Sequence, residues 1–248
     1  MLILSIDTSG KNGSVVLARG DAERFQLIAT SPVEGGTFSA QLIPQILRLL
    51  SKNNLTKSDI DAFAAATGPG SFTGLRVAIA AAQGIARGTG AAMAGISTLD
   101  VLAYPHAPSK QRTCALLPAG RTDWYAAFYQ DRNRKWQRRS PYIAAPLAEI
   151  CRQIGTHTLF VGEIDDEAEQ LLRDLLGPKA LFASPASRMR RAGYLAELGW
   201  KALESAPQAK LGEIEPIYVK QPSIRSSFDQ PFAPVPTGDH ALGLPKRS

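Results

Sequence analysis

The stretch Thr67-Gly68-Pro69-Gly70-Ser71-Phe72-Thr73-Gly74-Leu75-Arg76 decides how the rest of this chain is interpreted. An apolar run at residues 62–66 precedes it, and an alanine-rich run at residues 77–88 follows it. This order predicts a buried strand, a tight turn and a helix, because glycine allows the backbone conformations and close approaches that such turns need. Ser71 or Thr73 is expected to cap the helix. Free N–H groups at a helix start suit an anion.

The glycine turn matches neither common phosphate-binding motif. No Lys-Ser or Lys-Thr follows its last glycine, as a P-loop requires, and Thr73 stands where a dinucleotide fingerprint has its third glycine. A purely structural strand-to-helix turn is therefore as well supported as an anion site.

The helix that follows the turn is lined with small side chains. Its alanines and glycines are Ala78, Ala80, Ala81, Ala82, Gly84, Ala86 and Gly88. Because small residues let another element approach closely, we interpret this helix as a packing or subunit interface.

The composition is that of a globular, mildly basic protein. Of the 248 residues, 44 % are hydrophobic and 20 % are charged, which is enough for one large domain or two small ones. The net charge of +6 permits a nucleic-acid partner without requiring one. The two cysteines make no disulfide framework, Asp7 interrupts the first apolar run, and no window reaches 18 apolar residues. We therefore expect a cytoplasmic protein without a membrane span.

Hydrophobic periodicity predicts an α/β chain with mixed sheets covered by helices. Strands are expected at residues 2–6, 14–18, 25–30, 62–66, 91–96, 113–117, 124–129 and 159–162. Helices are expected at residues 38–51, 72–87, 98–104, 165–176 and 187–205. A carboxylate at the tip of the first strand and the glycine turn belong to the strand-end crevice where such sheets bind ligands.

Two composition changes divide the chain. Pro105 and Pro108 end the periodic pattern of the first domain, residues 1–104, and a smaller α/β domain follows at 105–186. The helix at 187–205 is expected to pack back on the first domain. Residues 221–248 hold five prolines and few large aliphatic side chains, which predicts a flexible tail.

Three stretches, in this order, resemble the TsaB (YeaZ) family: residues 3–9, 68–76 and 95–99. The nine-residue stretch at the glycine turn is the most specific, and Pro216-Ile-Tyr218-Val-Lys220 is similar to the family's terminal Pro-x-Tyr-Leu-Arg. The likeness is strong over residues 1–104 and absent beyond 221. It implies a duplicated, ribonuclease H-like domain fold of the actin/Hsp70/sugar-kinase type.

The resemblance also implies a function, the making of N6-threonylcarbamoyladenosine at position 37 of tRNA. Members of the family act as non-catalytic partners of a TsaD-like transferase, together with a TsaE-like ATPase, and form homodimers through the surface that the transferase takes. Contact with tRNA is then indirect, no cofactor is expected on this chain, and ATP binding belongs to the complex. The implied partner surface lies on the first two helices and comprises Gln41, Gln45, Arg48, Arg76, Ala78, Ala81, Ala82 and Ile85.

The sequence lacks the metal-binding residues that catalytic relatives use. The transferase paralogue has a His-x-x-x-His metal pair, and Thr98 and Leu102 stand at the matching positions, so no metal site is expected. No zinc-peptidase signature is present either. An autonomous ATP-binding phosphotransferase or a glycoprotease-like metallopeptidase of the same fold is the alternative function.

Asp7 matches an acidic position that lies near metal and phosphate in ATP-binding relatives. A vestigial nucleotide or anion site would comprise Asp7, Gly68, Gly70, Ser71 and Thr73. An aspartate that caps the turn at residues 10–13 is the favoured alternative, because aspartate caps such turns readily.

Two basic clusters are candidates for contact with tRNA or another anion. The first comprises Arg132, Arg134, Lys135, Trp136, Arg138 and Arg139, which suits phosphate contact and base stacking. A solvated hairpin tip is the favoured alternative. The second comprises Arg188, Arg190 and Arg191 near a predicted helix start, where a partner anion could compensate for unfavourable charge.

Overall fold

Two mixed β-sheets, each covered by helices, make up the fold. The structure, a computed structural model, describes residues 1–109, 111–132, 135–188, 190–205 and 214–219, with only the backbone described at 132 and 135. The predicted tail at 221–248 lies outside the described residues. None of the helices in the described ranges is both long and apolar enough to cross a membrane.

The first sheet has five strands in the order β3-β2-β1-β4-β5. Its strands are β1 (Leu2–Asp7), β2 (Gly13–Gly20), β3 (Phe25–Val33), β4 (Ala62–Gly68) and β5 (Ala92–Ser97). Strands β1, β2 and β3 form an antiparallel meander, whereas β4 and β5 run parallel to β1. The helices of this half are α1 (Phe38–Lys52), α2 (Phe72–Thr89) and α3 (Thr98–Ala103).

The second sheet repeats this succession as β11-β10-β6-β7-β8. Its strands are β6 (Arg112–Ala119), β7 (Asp123–Arg132), β8 (Lys135–Arg138), β9 (Ile143–Pro146), β10 (Thr158–Gly162) and β11 (Ala180–Phe182). Again two antiparallel neighbours lie on one side of the central strand and two parallel ones on the other, with β9 paired beside β8 on β7. The helices are α4 (Leu147–Cys151), α5 (Asp166–Leu176) and α6 (Ala192–Ser205).

Side chains along β1 point alternately to the two faces of the first sheet, and each face has its own hydrophobic core. Leu4 and Ile6 pack under α1 and α2, whereas Ile3 packs under α6 on the opposite face. Helix α6 therefore returns from the second sheet to cover the first. The approach is close, because a methyl group at Gly199 would lie well under 3.0 Å from the methyl of Ala64.

Several element ends differ from the sequence expectation. Strand β3 continues through Pro32, which an edge strand tolerates because its outer N–H needs no ladder partner. Helix α1 contains Pro44 in its interior. Helix α2 ends at Thr89, two residues later than predicted, and its C-cap is Gly90, which adopts the left-handed conformation with φ +76°. Helix α6 begins at Ala192, five residues later than predicted. Strands β8, β9 and β11 and helix α4 were not predicted.

A carboxylate on α3 joins the two halves. The phenol of Tyr129 on β7 donates to Oδ1 of Asp100 at 2.6 Å, and the phenol of Tyr142 donates to Oδ2 at 3.3 Å. Burial raises the pKa of the Asp100 carboxyl above its usual value, although the hydrogen bond from Tyr129 offsets part of this effect.

Replacement of Asp100 by asparagine should remove a pH dependence of stability. Because the pKa is higher in the folded than in the unfolded chain, the folded chain binds this proton more tightly, and the cost of the buried charge is relieved as the pH falls through the folded pKa. The wild type should therefore gain stability relative to Asp100→Asn between about pH 7 and about pH 4.5. Urea unfolding of both proteins at the two pH values measures this difference, and parallel curves would contradict it.

Candidate functional site

The glycine turn is packed directly against the loop that follows β1. The Ser71 N–H donates to the carbonyl oxygen of Ser9 at 2.7 Å, and the Thr8 hydroxyl donates to the carbonyl oxygen of Gly74 at 2.7 Å. Ser71 is the N-cap of α2, because its hydroxyl accepts from the Gly74 N–H at 3.2 Å. The N–H groups of Ser71 and Gly74 therefore have partners within the protein.

Close packing explains why glycine stands at three positions of this turn. A Cβ atom at Gly74 would lie well under 3.0 Å from the carbonyl oxygen of Thr8, and one at Gly70 would meet that of Ser9 in the same way. Gly68 has φ +105°, which favours glycine. The glycines thus have a structural role, and anion binding by Gly68, Gly70, Ser71 and Thr73 stays a prediction.

A chain of polar contacts runs from Asp7 at the end of β1 to Glu163 just beyond β10. Both the N–H and the hydroxyl of Ser9 donate to Oδ1 of Asp7, at 2.9 and 2.5 Å. Arg190 Nη1 donates to the Ser9 hydroxyl at 2.7 Å, and Arg190 Nη2 donates to Glu163 Oε2 at 3.0 Å. The Nε atom of Arg190 lies 2.6 Å from Glu163 Oε1. One guanidinium group therefore links the strand ends of the two sheets.

Two adjoining cavities of about 440 and 980 Å³ lie on either side of Arg190. Their sizes fall in the range of small-molecule sites. Asp7, which lines the larger cavity, is only 4 % exposed, and its buried Oδ2 atom has no hydrogen-bond partner among the described residues. The charged side chains that line the larger cavity are Asp7, Lys11, Glu163, Asp166, Glu169, Arg188 and Arg190.

The resemblance matches Asp7 to an acidic position that lies near metal and phosphate in ATP-binding relatives. Here Oδ1 of Asp7 is engaged by Ser9, and the Arg190 guanidinium is so close to the Gly10 backbone that a Cβ atom there would lie 3.1 Å from Nη1. A cation already occupies the space beside the Asp7 loop. The residues therefore do not fit a metal-bound phosphate next to Asp7 while Arg190 holds this position.

The outer side of α1 and α2 exposes large apolar side chains. Ile43 and Leu47 lie one turn apart on α1, and Phe72 stands at the start of α2. We call the exposed side of α1 and α2 the docking face, and these three side chains were not among those predicted for a partner surface. The apolar pair on α1, four residues apart and off the buried stripe, was visible in the sequence and was overlooked.

The predicted partner surface needs a correction at two positions. Ala78 and Ala82 are fully buried against the first sheet, because they share the side of α2 that carries Leu75 and Ile79. They are therefore not available to a partner. Of the other predicted positions, Arg48 and Arg76 are exposed, whereas Gln41, Gln45, Ala81 and Ile85 are half-buried.

A C-terminal segment, residues 214–219, lies along α2 and borders the docking face. The Ile217 N–H donates to the carbonyl oxygen of Thr67 at 2.7 Å, and the Gln83 amide donates to that of Ile214 at 3.3 Å. Arg76 Nε donates to the Tyr218 hydroxyl at 3.1 Å while its guanidinium lies 3.9 Å from the centre of the Phe72 ring. The segment therefore adds an exposed tyrosine to the docking face.

The chain is similar to known proteins both in sequence and in fold. A family model described as TsaD, tRNA N6-adenosine threonylcarbamoyltransferase, matches residues 35–152. The tRNA threonylcarbamoyladenosine biosynthesis protein TsaB of Bacillus subtilis is 26 % identical over 202 residues, which cover 80 % of this chain and 87 % of the relative. The Escherichia coli protein of the same name is 33 % identical over 141 residues, covering 55 % of this chain and 58 % of the relative.

The solved structure of YeaZ from Pseudomonas aeruginosa superimposes with a TM-score of 0.68 at 22 % identity, over 88 % of this chain and 99 % of the YeaZ chain. In sequence and in fold, the chain is therefore similar to TsaB (YeaZ) proteins. The structural match also confirms the predicted α/β fold with mixed sheets covered by helices.

The two positions that the resemblance matches to the metal pair of the transferase lie inside the protein. Thr98 and Leu102 are both buried in α3. Within the described ranges, no group of three or more His, Cys, Asp or Glu side chains is arranged to hold a metal ion.

The first basic cluster is described only in part. Arg134 and the side chains of Arg132 and Lys135 lie outside the described residues. The ring of Trp136 is half-buried and stacks on Tyr129 with centroids 6.2 Å apart. The Arg138 guanidinium lies 3.8 Å from the centre of the Tyr142 ring, and Arg139 is exposed. Contact of these residues with tRNA stays a prediction.

Two arginines of the second basic cluster form ion pairs with carboxylates of the chain itself. Arg188 pairs with Glu169 at 2.7 Å, and Arg190 pairs with Glu163. Arg191 donates to the carbonyl oxygen of Ala186 at 2.6 Å. The fold thus brings carboxylates that are distant in sequence to Arg188 and Arg190, and compensation of the cluster by a partner anion stays a prediction.

Proposed function

We propose that this chain is a non-catalytic subunit in tRNA threonylcarbamoyladenosine biosynthesis and that it docks on a TsaD-like transferase. The names of the Bacillus subtilis and Escherichia coli relatives support the pathway. The match to the transferase model over residues 35–152 supports a common ancestry with the proposed partner. We further propose that a TsaE-like ATPase takes part in the complex, that ATP binds to the complex and that the chain contacts tRNA only indirectly. The proposed location is the cytoplasm.

The observation that carries the non-catalytic assignment is the position of Arg190. Its guanidinium bridges Ser9 and Glu163 in the cleft, beside the loop of Asp7, the position that the resemblance matches to an acidic residue near metal and phosphate in ATP-binding relatives. A side chain that ties two strand ends together stabilises one arrangement of the two sheets. A rigid arrangement suits a subunit that presents a surface to a partner.

The docking face supports the second half of the proposal. Ile43, Leu47, Phe72 and Tyr218 are each more than one-third exposed, although large apolar and aromatic side chains stabilise a fold only when buried. Aromatic and aliphatic side chains of this kind are typical anchors of protein–protein interfaces. We place the transferase on this face, with a homodimer through the same face as a competing assembly.

One observation favours the alternative of an autonomous ATP-dependent enzyme. Asp7 lines a cavity of about 980 Å³, and its buried Oδ2 atom has no hydrogen-bond partner among the described residues. Such an enzyme would require Arg190 to leave the cleft. ATP hydrolysis by the purified chain that Asp7→Ala abolishes would establish this function in place of the proposed one.

Depletion of the chain in its own cell should lower threonylcarbamoyladenosine at tRNA position 37, measured by mass spectrometry of digested tRNA. The wild-type gene should restore the nucleoside, whereas Leu47→Asp should not, because a carboxylate in an apolar contact is left without a partner. We expect the variant to bind the transferase at least about tenfold more weakly in a pull-down titration.

The matched control is Leu171→Asp on α5, since Leu171 is 43 % exposed and Leu47 is 44 % exposed. The control should restore the modified nucleoside fully. Equal rescue by both variants would disprove the docking face, and an unchanged nucleoside level after depletion would disprove the pathway.

A further inference from the structure

A third cavity, of about 600 Å³, lies on the face of the first sheet that α6 covers. Helix α6 packs on β1, β2, β4 and β5 and leaves the edge strand β3 largely uncovered. Residues of β2 therefore form the floor of the cavity, and β3 and the start of α6 form its walls. Because α1 and α2 lie on the other face of the sheet, this cavity is separate from the docking face.

The walls of the cavity are mainly apolar. The large or aliphatic side chains that line it are Val16, Phe25, Leu27, Ile28, Ala192 and Tyr194. Thr30 lies opposite Val16 in the β2–β3 ladder, and Val16 is buried under α6, so Thr30 points to the same face. A Cβ atom at Gly193 would lie 3.1 Å from Cδ1 of Leu27, so the start of α6 and β3 approach closely there.

A β-bulge brings one more apolar residue to the mouth of the cavity. The β2–β3 ladder passes from Ala29 directly to Leu27, so Ile28 has no partner on β2. Leu27 is 55 % exposed and Ile28 is 37 % exposed, although large aliphatic side chains stabilise a fold only when they are buried. An apolar ligand in the cavity would cover part of both side chains.

Of the three charged side chains that line the cavity, one has no opposite charge beside it. Arg190 pairs with Glu163, and Glu197 pairs with Lys201 at 2.9 Å. Arg191 is exposed, donates to a backbone carbonyl oxygen, and forms no ion pair in the part of the chain that the structure describes. Apolar walls with one spare guanidinium suit a ligand that carries a single anionic group on an apolar body.

We propose that this cavity binds a free monocarboxylate with an apolar chain or ring. Its volume lies within the range of small-molecule sites. The apolar body contacts Phe25, Leu27 and Tyr194, and the carboxylate accepts from Arg191, whose fork of N–H groups matches two carboxylate oxygens. Trp200 can report on binding, because its ring stacks on that of Phe25 with centroids 5.4 Å apart.

Octanoate and octanol are the probes, because they share a chain and differ in charge. Octanoate should bind the full chain saturably in isothermal titration calorimetry and should change the tryptophan emission. The variant Trp200→Phe should keep the calorimetric binding and lose most of the emission change. Arg191→Glu should weaken octanoate binding at least about tenfold and leave octanol binding unchanged, because only the carboxylate meets Arg191.

A second variant tests the apolar part of the cavity. Thr30→Phe should weaken the binding of both probes at least about tenfold, because the added ring occupies the space of the ligand. The matched controls are Arg152→Glu and Thr122→Phe, at exposed positions associated with the second sheet, and they should change neither affinity. Circular dichroism verifies that all variants are folded.

The outcomes decide the proposal without reference to the transferase. Absence of saturable octanoate binding overturns it, and so does unchanged octanoate binding by Thr30→Phe or by Arg191→Glu. Binding of the chain to phosphatidylglycerol vesicles without binding of free octanoate also overturns it, in favour of a membrane surface. Thr30→Phe should still bind the transferase as the wild type does, so a failure of the docking face leaves this inference standing.

Discussion

Replacement of Gly74 by alanine should lower the free energy of unfolding by about 3 kcal/mol. The added methyl group would lie well under 3.0 Å from the carbonyl oxygen of Thr8, and it would also meet the carbonyl carbon of Thr8. Because these are backbone atoms, no rotamer change relieves the overlap. The loop after β1 would have to move away from α2, which would also stretch the hydrogen bond from the Thr8 hydroxyl to the carbonyl oxygen of Gly74.

Replacement of Gly84 by alanine, on another face of α2, should instead raise the free energy of unfolding. A methyl group at Gly84 meets nothing within 4 Å, and alanine is the better helix former by about 0.5–1 kcal/mol. Urea unfolding of Gly74→Ala, Gly84→Ala and the wild type, followed by circular dichroism, measures both changes. Two losses of similar size would contradict the close contact between Gly74 and Thr8.

The contact at Gly74 also determines how the docking face is presented. Helix α2 leaves the sheet at the angle that the Thr8–Gly74 and Ser9–Ser71 contacts fix. A weakened contact should therefore reduce transferase binding even though Gly74 itself is buried. The stretch at residues 68–76 is therefore constrained by packing and by helix placement, so its sequence does not by itself indicate a ligand.

Sequence patterns predicted the long elements of the fold and missed the short ones. Strands β1, β4 and β6 are recognisable because each is a buried apolar run. Strands β8, β9 and β11 have only three or four residues, too few to show a period. The duplication of the two sheets was implied by resemblance and became visible only in the strand order, because topology leaves no local signal in sequence.

The small-residue helix shows how far the candidate site could be predicted. Alanine is compatible with both a buried and an exposed position, so the run on α2 did not reveal which side faced the sheet. The large side chains Leu75 and Ile79 mark the buried side and would have assigned Ala78 and Ala82 to the core. Nothing in sequence placed Arg190 beside Glu163, because that pairing depends on the return of the chain to the first sheet.

Arg190→Ala should lower the free energy of unfolding by about 2–3 kcal/mol, whereas Glu163→Gln should cost less than about 1 kcal/mol. The difference follows from burial. The Glu163 side chain is 43 % exposed, so its ion pair with Arg190 is screened by water. Ser9 and Asp7 are almost completely buried, and their network loses its cation when Arg190, itself only 12 % exposed, is removed.

Arg191→Ala provides the control, since Arg191 is the neighbouring arginine and bonds only to an exposed backbone carbonyl at Ala186 among the contacts described. Its stability should equal that of the wild type within about 0.5 kcal/mol. Hydrogen exchange supplies the second measurement, because loss of the Arg190 link should release the amides of residues 8–10 and 162–164 together, one loop on each sheet. Faster exchange in one loop alone would show that Arg190 stabilises its own neighbourhood without linking the sheets. Joint release would show that the guanidinium holds the cleft in the single arrangement on which a non-catalytic, surface-presenting subunit depends.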